Sequence, residues 1–185
     1  KLPNPISVIW TLRIVDQVCG CTETNEQSSL AVEVEDILGG QIRKSPNDTN
    51  QYRYLELPNK LKVVLIYDQD SEKSAASLSV SMGSFHEPDE FPGLAHFLEH
   101  MLFIGTETYP EVDSFQNFVS SNGGSTNAYT ANDHTNYFFD ISSVEIKEGL
   151  SRFAHFFIDP LFAEGYVNRE KNAVHSEYQM QYKDD

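Results

Sequence analysis

Cysteine is almost missing from this chain. The two present, Cys19 and Cys21, sit close together near the start, so no disulfide framework can brace the rest. Basic residues are also scarce: 13 Lys and Arg face 28 Asp and Glu, a formal net charge of −15. Such an acidic balance repels phosphate backbones and argues against a nucleic-acid partner. No run approaches the roughly 18 apolar residues that a membrane-spanning helix needs. There is no internal repeat and no low-complexity segment. What is present is 185 residues, 39% of them hydrophobic, which suffices for one domain with a sizeable core and a tail.

The first 50 residues read as leader and polar linker. The chain begins with Lys1 rather than Met, as a fragment or a processed form would. Ile6, Val8, Ile9, Trp10, Leu12, Ile14 and Val15 form an apolar cluster that Arg13 interrupts, so it is a poor secretory core. Val18-Cys19-Gly20-Cys21 loosely resembles a lipoprotein cleavage site, with Cys21 as the lipidated residue and Thr22 to Ser29 as tether. The alternative is a leader with no defined signal. A metal site on Cys19 and Cys21 lacks further ligands nearby. The leader favours a periplasmic, envelope-associated or secreted protein, with a cytoplasmic one as the alternative. Gly39-Gly40 and Ser45-Pro46-Asn47-Asp48 mark turns, and the globular part is expected from Gln51 to Asp185.

In that body, Tyr52 to Leu57 and Leu61 to Tyr67 flank Pro58-Asn59-Lys60, a hairpin pattern. Leu78, Val80 and Met82 alternate with serines, which predicts a half-buried strand. Leu94 to Phe103 and Val112 to Ser121 read as helices, the second ending at Asn122-Gly123-Gly124. Strands are expected over Ser125 to Thr130 and Thr135 to Ile141. Ser142 and Glu145 fit a capping box for a helix with Ile146, Leu150, Phe153 and Phe157 on one stripe. Tyr166 to about Tyr182 gives a last helix. This order predicts an α+β fold, a mostly antiparallel sheet with helices packed on one side.

The strongest motif is His96-Phe97-Leu98-Glu99-His100. It has the order H-x-x-E-H, the inverse of the common zinc-protease motif. At about 100° per residue, His96, Glu99 and His100 share an arc of about 100° on the helix. Leu94, Phe97, Leu98, Met101 and Leu102 lie on the other side. One face packs; the other presents two imidazoles and a carboxylate, the groups a catalytic zinc uses as ligands and as proton acceptor. Alone, the same pattern also describes a polar face with two solvated histidines.

A third protein ligand is needed. Glu170 and Glu177 are seven residues apart and share a helical face with Ala173 and Val174, while Lys171, Asn172, His175 and Gln179 lie opposite. Acids on an inward face need a partner, because unpaired buried charge is costly. His86, His134, His155 and His175 read as structural or surface residues. Glu87, Asp89 and Glu90 read as acids that keep their loop hydrated.

With these residues in view, GSFHEPDEFPGLAHFLEHMLFIGT, GGSTNAYTANDHTNYFFD and VNREKNAVHSEY resemble the pitrilysin or insulinase family of inverse zinc metallopeptidases, over roughly residues 52 to 185. The resemblance implies one zinc ion held by His96, His100 and Glu177. It implies Glu99 as general base and Glu170 as the acid that orients a ligand. It further implies peptide substrates that add as a strand along Ser125, Thr126, Asn127, Ala128 and Tyr129, with Tyr129 near a side-chain pocket. The implied activity is zinc-dependent endopeptidase cleavage of peptides and small proteins by metal-activated water. Family members are several times longer, so the implied partners include further C-terminal domains of the same polypeptide. The alternative is a truncated or non-catalytic peptide-binding member of the family.

Overall fold

The computed structural model describes residues 8–14 and 44–181. Among these, six strands form one sheet: β1 (Val8–Ile14), β2 (Gln51–Glu56), β3 (Lys62–Tyr67), β4 (Lys73–Val80), β5 (Ser125–Thr130) and β6 (Thr135–Ser142). Their order is β2-β3-β1-β4-β6-β5. Only β1 and β3 run parallel; every other neighbouring pair is antiparallel. Four α-helices accompany the sheet among the described residues: α1 (Leu94–Leu102), α2 (Ser114–Ser121), α3 (Ile146–Ile158) and α4 (Glu164–Gln181). The α+β class and the helices on one side agree with the sequence reading.

The expected hairpin forms, with Lys60 taking the left-handed conformation of its turn (φ 70°). The segment Val8–Ile14 falls inside the expected leader, yet it pairs with β3 on one side and β4 on the other. A short apolar run suits a leader core or a buried strand equally, and periodicity does not separate them. Long-range pairing does: without β1, both β3 and β4 would present an unpaired edge. Cys19, Cys21 and Thr22 to Ser29 lie outside the described residues.

The core occupies one face of the sheet. Alternation in β4 and β6 buries Ala76, Leu78, Tyr137, Phe139 and Ile141, and the strand register brings Ala76 opposite Phe139 and Leu78 opposite Tyr137. Helices α2 and α3 cover this face with Phe115, Val119, Phe153 and Phe156. Phe115 meets Phe139 and Phe156 edge-on, with centroids 5.4 and 5.0 Å apart, contacts worth about 0.5–1.5 kcal/mol each beyond burial. Two local expectations change. The α3 stripe centres on Ile146, Gly149, Phe153 and Phe156, while Leu150 and Phe157 are half-buried beside it. The Ser142–Glu145 capping box does not form: these residues lead through a 3₁₀ turn, and the Ser142 side chain makes no cap. Ser143 instead bonds the Glu72 carbonyl and the Ser74 hydroxyl across the sheet end.

Helix α1 is set by the loop before it. Gly83 follows β4 where a Cβ would lie 2.3 Å from the Ala131 carbonyl oxygen. That closeness lets the N–H groups of Ser84 and Phe85 bond the carbonyls of Ala131 and Asn132, tying the loop to the β5–β6 turn. The residue before α1 is Gly93 at φ 88°, a left-handed conformation that suits glycine, and it has no side chain to cap the helix. Glu87 supplies the cap from a distance, accepting hydrogen bonds from Gly93 N and Ala95 N at 2.7 and 2.8 Å. Glu87 therefore does more than hydrate the loop: its charge meets the positive end of the helix.

Two predictions follow from this frame. Glu87→Ala should cost about 1 kcal/mol of stability, read as a lower urea midpoint; an unchanged midpoint would show that the cap contributes nothing. The second concerns Asp140, which anchors the start of β5. It accepts hydrogen bonds from Lys73 Nζ at 2.7 Å and from the Ser125 hydroxyl at 2.6 Å. Burial pushes its carboxyl upward, but these bonds outweigh burial and hold it below the usual carboxylate range. A depressed folded value stabilises above the unfolded pKa of about 3.9, and the gain is lost as pH falls through the folded value. The stability gap between the parent and Asp140→Asn should thus hold near neutrality and close on acidification below about pH 4. A gap that persists to full protonation would exclude Asp140 as its source.

Candidate metal centre

Helix α1 carries the motif and α4 packs against it. Met101 and Leu102 anchor α1 in the interior, but Leu94 and Leu98 stay exposed at 44% and 43%. The packed face is therefore rotated toward Glu99, which is only 7% exposed. His96 and His100 sit one turn apart with ring centroids 4.9 Å from each other. Their Nε2 atoms approach to 3.3 Å. Glu177 Oε2 lies 3.3 Å from His96 Nε2 and 3.7 Å from His100 Nε2.

Three potential ligand atoms thus converge from two helices, within 4.8 Å of one another. The donor set fits a zinc-like ion. Bonds of about 2.0–2.1 Å at tetrahedral angles place neighbouring ligand atoms about 3.3 Å apart, as two of the three pairs are. Side-chain exposures of 33% for His96, 20% for His100 and 41% for Glu177 leave the centre open on one side, as a site that admits a further ligand requires.

The surrounding bonds orient this trio. His100 Nδ1 lies 3.1 Å from Glu170 Oε2. An ionised carboxylate only accepts, so this bond places the proton on Nδ1 and leaves the Nε2 lone pair toward Glu177 and His96. Glu170 is buried at 8% exposure, and its other oxygen accepts from Arg169 Nε at 2.6 Å. Glu99 points elsewhere: its Oε2 accepts a 2.6 Å bond from the Thr130 hydroxyl. Burial pushes the Tyr137 phenol well above the usual tyrosine range, and the negative charge of nearby Glu99 adds to the shift.

A cleft of about 270 Å³ opens beside the centre, lined by Glu99, His100, Phe103, Gln116, Ala128 and Glu170 among others. Thr126 and Asn127 also reach it. Ser125 and Tyr129 do not line it: the Ser125 hydroxyl bonds Asp140, and the half-exposed Tyr129 has its hydroxyl 3.3 Å from His134 Nε2. Side chains alternate across a strand, and Thr130 faces Glu99, so Tyr129 faces away. All five residues still belong to β5, the end strand of the sheet. Asn127 Oδ1 accepts the N–H of Ala128 at 2.9 Å.

The other histidines serve locally. His86 Nδ1 accepts the N–H of Gly83, His155 pairs with Asp159, and His175 is exposed. Thr130, Arg169 and Glu87 are the residues that sequence reasoning missed. For Thr130 the signal was parity: it shares a strand face with Thr126 and Ala128.

Comparison with known proteins identifies the family of this chain. The family described as Insulinase (Peptidase family M16) matches residues 62–185. The chain is 47% identical over 148 residues to the insulin-degrading enzyme of Homo sapiens, which covers 80% of this chain and 14% of the relative. It is 47% identical over 137 residues to a Caenorhabditis elegans protein named as a zinc protease, covering 74% of this chain and 16% of that protein. The crystal structure of pitrilysin superposes with a TM-score of 0.76 at 36% identity, covering 80% of this chain and 16% of that one. This chain therefore spans about one seventh of the length of the human relative. The chain belongs to the insulinase family of peptidases.

Proposed function

We propose that this chain carries the catalytic centre of a zinc-dependent endopeptidase that hydrolyses peptides and small proteins. The observation that carries this reading is the convergence of His96 Nε2, His100 Nε2 and Glu177 Oε2 beside a separate buried carboxylate, Glu99. A zinc ion held by the trio would supply a Lewis acid that polarises a carbonyl and acidifies water.

The chain's own residues do the rest. Glu99 takes up the proton of the attacking water and returns it to the leaving amine. Glu170 holds the Nδ1–H of His100, which fixes the ring and raises the basicity of Nε2. The β5 edge receives an extended peptide through main-chain bonds, an arrangement tolerant of sequence. Thr126, Asn127 and Ala128 border the cleft beside that edge. As the relatives are about seven times longer, turnover by the whole protein draws on domains outside this chain, and an isolated piece would bind metal and peptide while cleaving poorly.

Zinc content tests the centre directly. Purified protein should hold about one zinc per chain, His96→Ala should hold none, and Glu99→Gln should keep zinc while losing at least about 100-fold in peptidase turnover. Zinc retained by His96→Ala would refute the site. Activity retained by Glu99→Gln would remove Glu99 as base. A metal titration separates the third ligand from its neighbours: Glu177→Gln should weaken zinc far more than His175→Ala. The reverse order would overturn the assignment of Glu177.

A further inference from the structure

We propose that Thr130 is the positioning residue for Glu99, and that its hydroxyl couples the orientation of this carboxylate to the edge strand β5. The inference rests on the reading of Glu99 as base. Glu99 is almost fully buried, and Thr130 Oγ1 is its hydrogen-bond donor at 2.6 Å. That distance is typical of a hydroxyl bonded to an ionised carboxylate. A buried carboxylate oxygen without such a bond would bear its full desolvation cost.

The direction of the bond is fixed by the neighbours. Each hydroxyl has one proton. That of Thr135 goes to the Met82 carbonyl at 2.9 Å. Thr135 Oγ1 lies 3.3 Å from Thr130 Oγ1 and, its own proton committed, can only accept there, so Thr130 has two acceptors within reach. Its proton goes to the Glu99 carboxylate, the closer of the two at 2.6 Å. Thr135 is buried on β6 and Thr130 ends β5, with the turn closed by Ala131 N bonding the His134 carbonyl at 2.8 Å. Threonine is stiff at χ1, so the strand backbone sets where the hydroxyl points. Glu99 Oε2 is thereby tethered to β5, and the carboxylate turns about that tether rather than freely. The strand proposed to receive a peptide is the strand that aims the base.

The test uses Thr130→Val, which keeps the shape and deletes the donor, and Thr130→Ser, which keeps the donor, both in the zinc-loaded full-length protein. Thr130→Val should keep about one zinc per chain, leave KM within about twofold and lower kcat by about 10- to 100-fold. Thr130→Ser should recover most of that loss. A kcat within about twofold of the parent for Thr130→Val would overturn the proposal. So would an equal loss in both variants, or a loss accompanied by release of zinc, since each marks a structural role. Crystal structures of the parent and of Thr130→Val give a second readout that does not depend on turnover. The Glu99 carboxylate should leave its place by more than about 1 Å; an unmoved carboxylate would also overturn the proposal. An inert parent, unaffected by Glu99→Gln, would count against the peptidase reading instead, and the crystallographic comparison would still decide the Thr130–Glu99 tether.

Discussion

The hydrogen bond between His100 and Glu170 is the joint on which the site depends. It links α1 to α4 across 70 positions of sequence. Two histidines on one helix supply only two ligands, and a helix held elsewhere must bring the third. The buried Glu170 performs that docking while fixing the tautomer of His100. Arg169 occupies the second oxygen of Glu170, so the acid meets a partner on each side. A buried charge with both oxygens engaged avoids the penalty of an unpaired one. Glu177, two turns on, is then carried to the two Nε2 atoms.

The two buried carboxylates beside the centre, Glu170 and Glu99, are thus set apart by what holds them. Glu170 faces an imidazole N–H and a guanidinium; Glu99 faces a hydroxyl from the sheet. One is bound into the helix pair and the other into the strand edge. The loop from Gly83 to Gly93 joins these halves, because it bonds the β5–β6 turn at one end and caps α1 through Glu87 at the other. Helix, loop and edge strand form one connected frame around the cleft.

Much of the fold was legible because its elements obey local rules. The β2–β3 hairpin, the two strands around Ala131 to His134 and all four helices follow from periodicity and turn residues. The misreadings have a common source. The capping box at Ser142 fits its pattern, but Ser143 finds partners across the sheet. Leu94 and Leu98 belong to the apolar side of α1 by helical angle, yet the sheet and α4 bury the side bearing Glu99 instead. Val8–Ile14 pairs with strands more than 45 residues away, a pairing that no window of sequence contains.

The sequence by itself determined the ligand types and their spacing. His96 and His100 one turn apart, and Glu170 and Glu177 two turns apart, share faces because the helix repeat requires it. Its pattern also determined that the edge segment from Ser125 to Thr130 is a strand. Only the tertiary structure decided which surface each helix presents, that Glu87 caps α1, that Arg169 engages Glu170 and that Thr130 reaches Glu99. These contacts join residues 6 to 31 positions apart or turn on one side-chain direction. Helical and strand periods fix angles about a single axis; the distance between two axes comes from packing, which the periods do not contain.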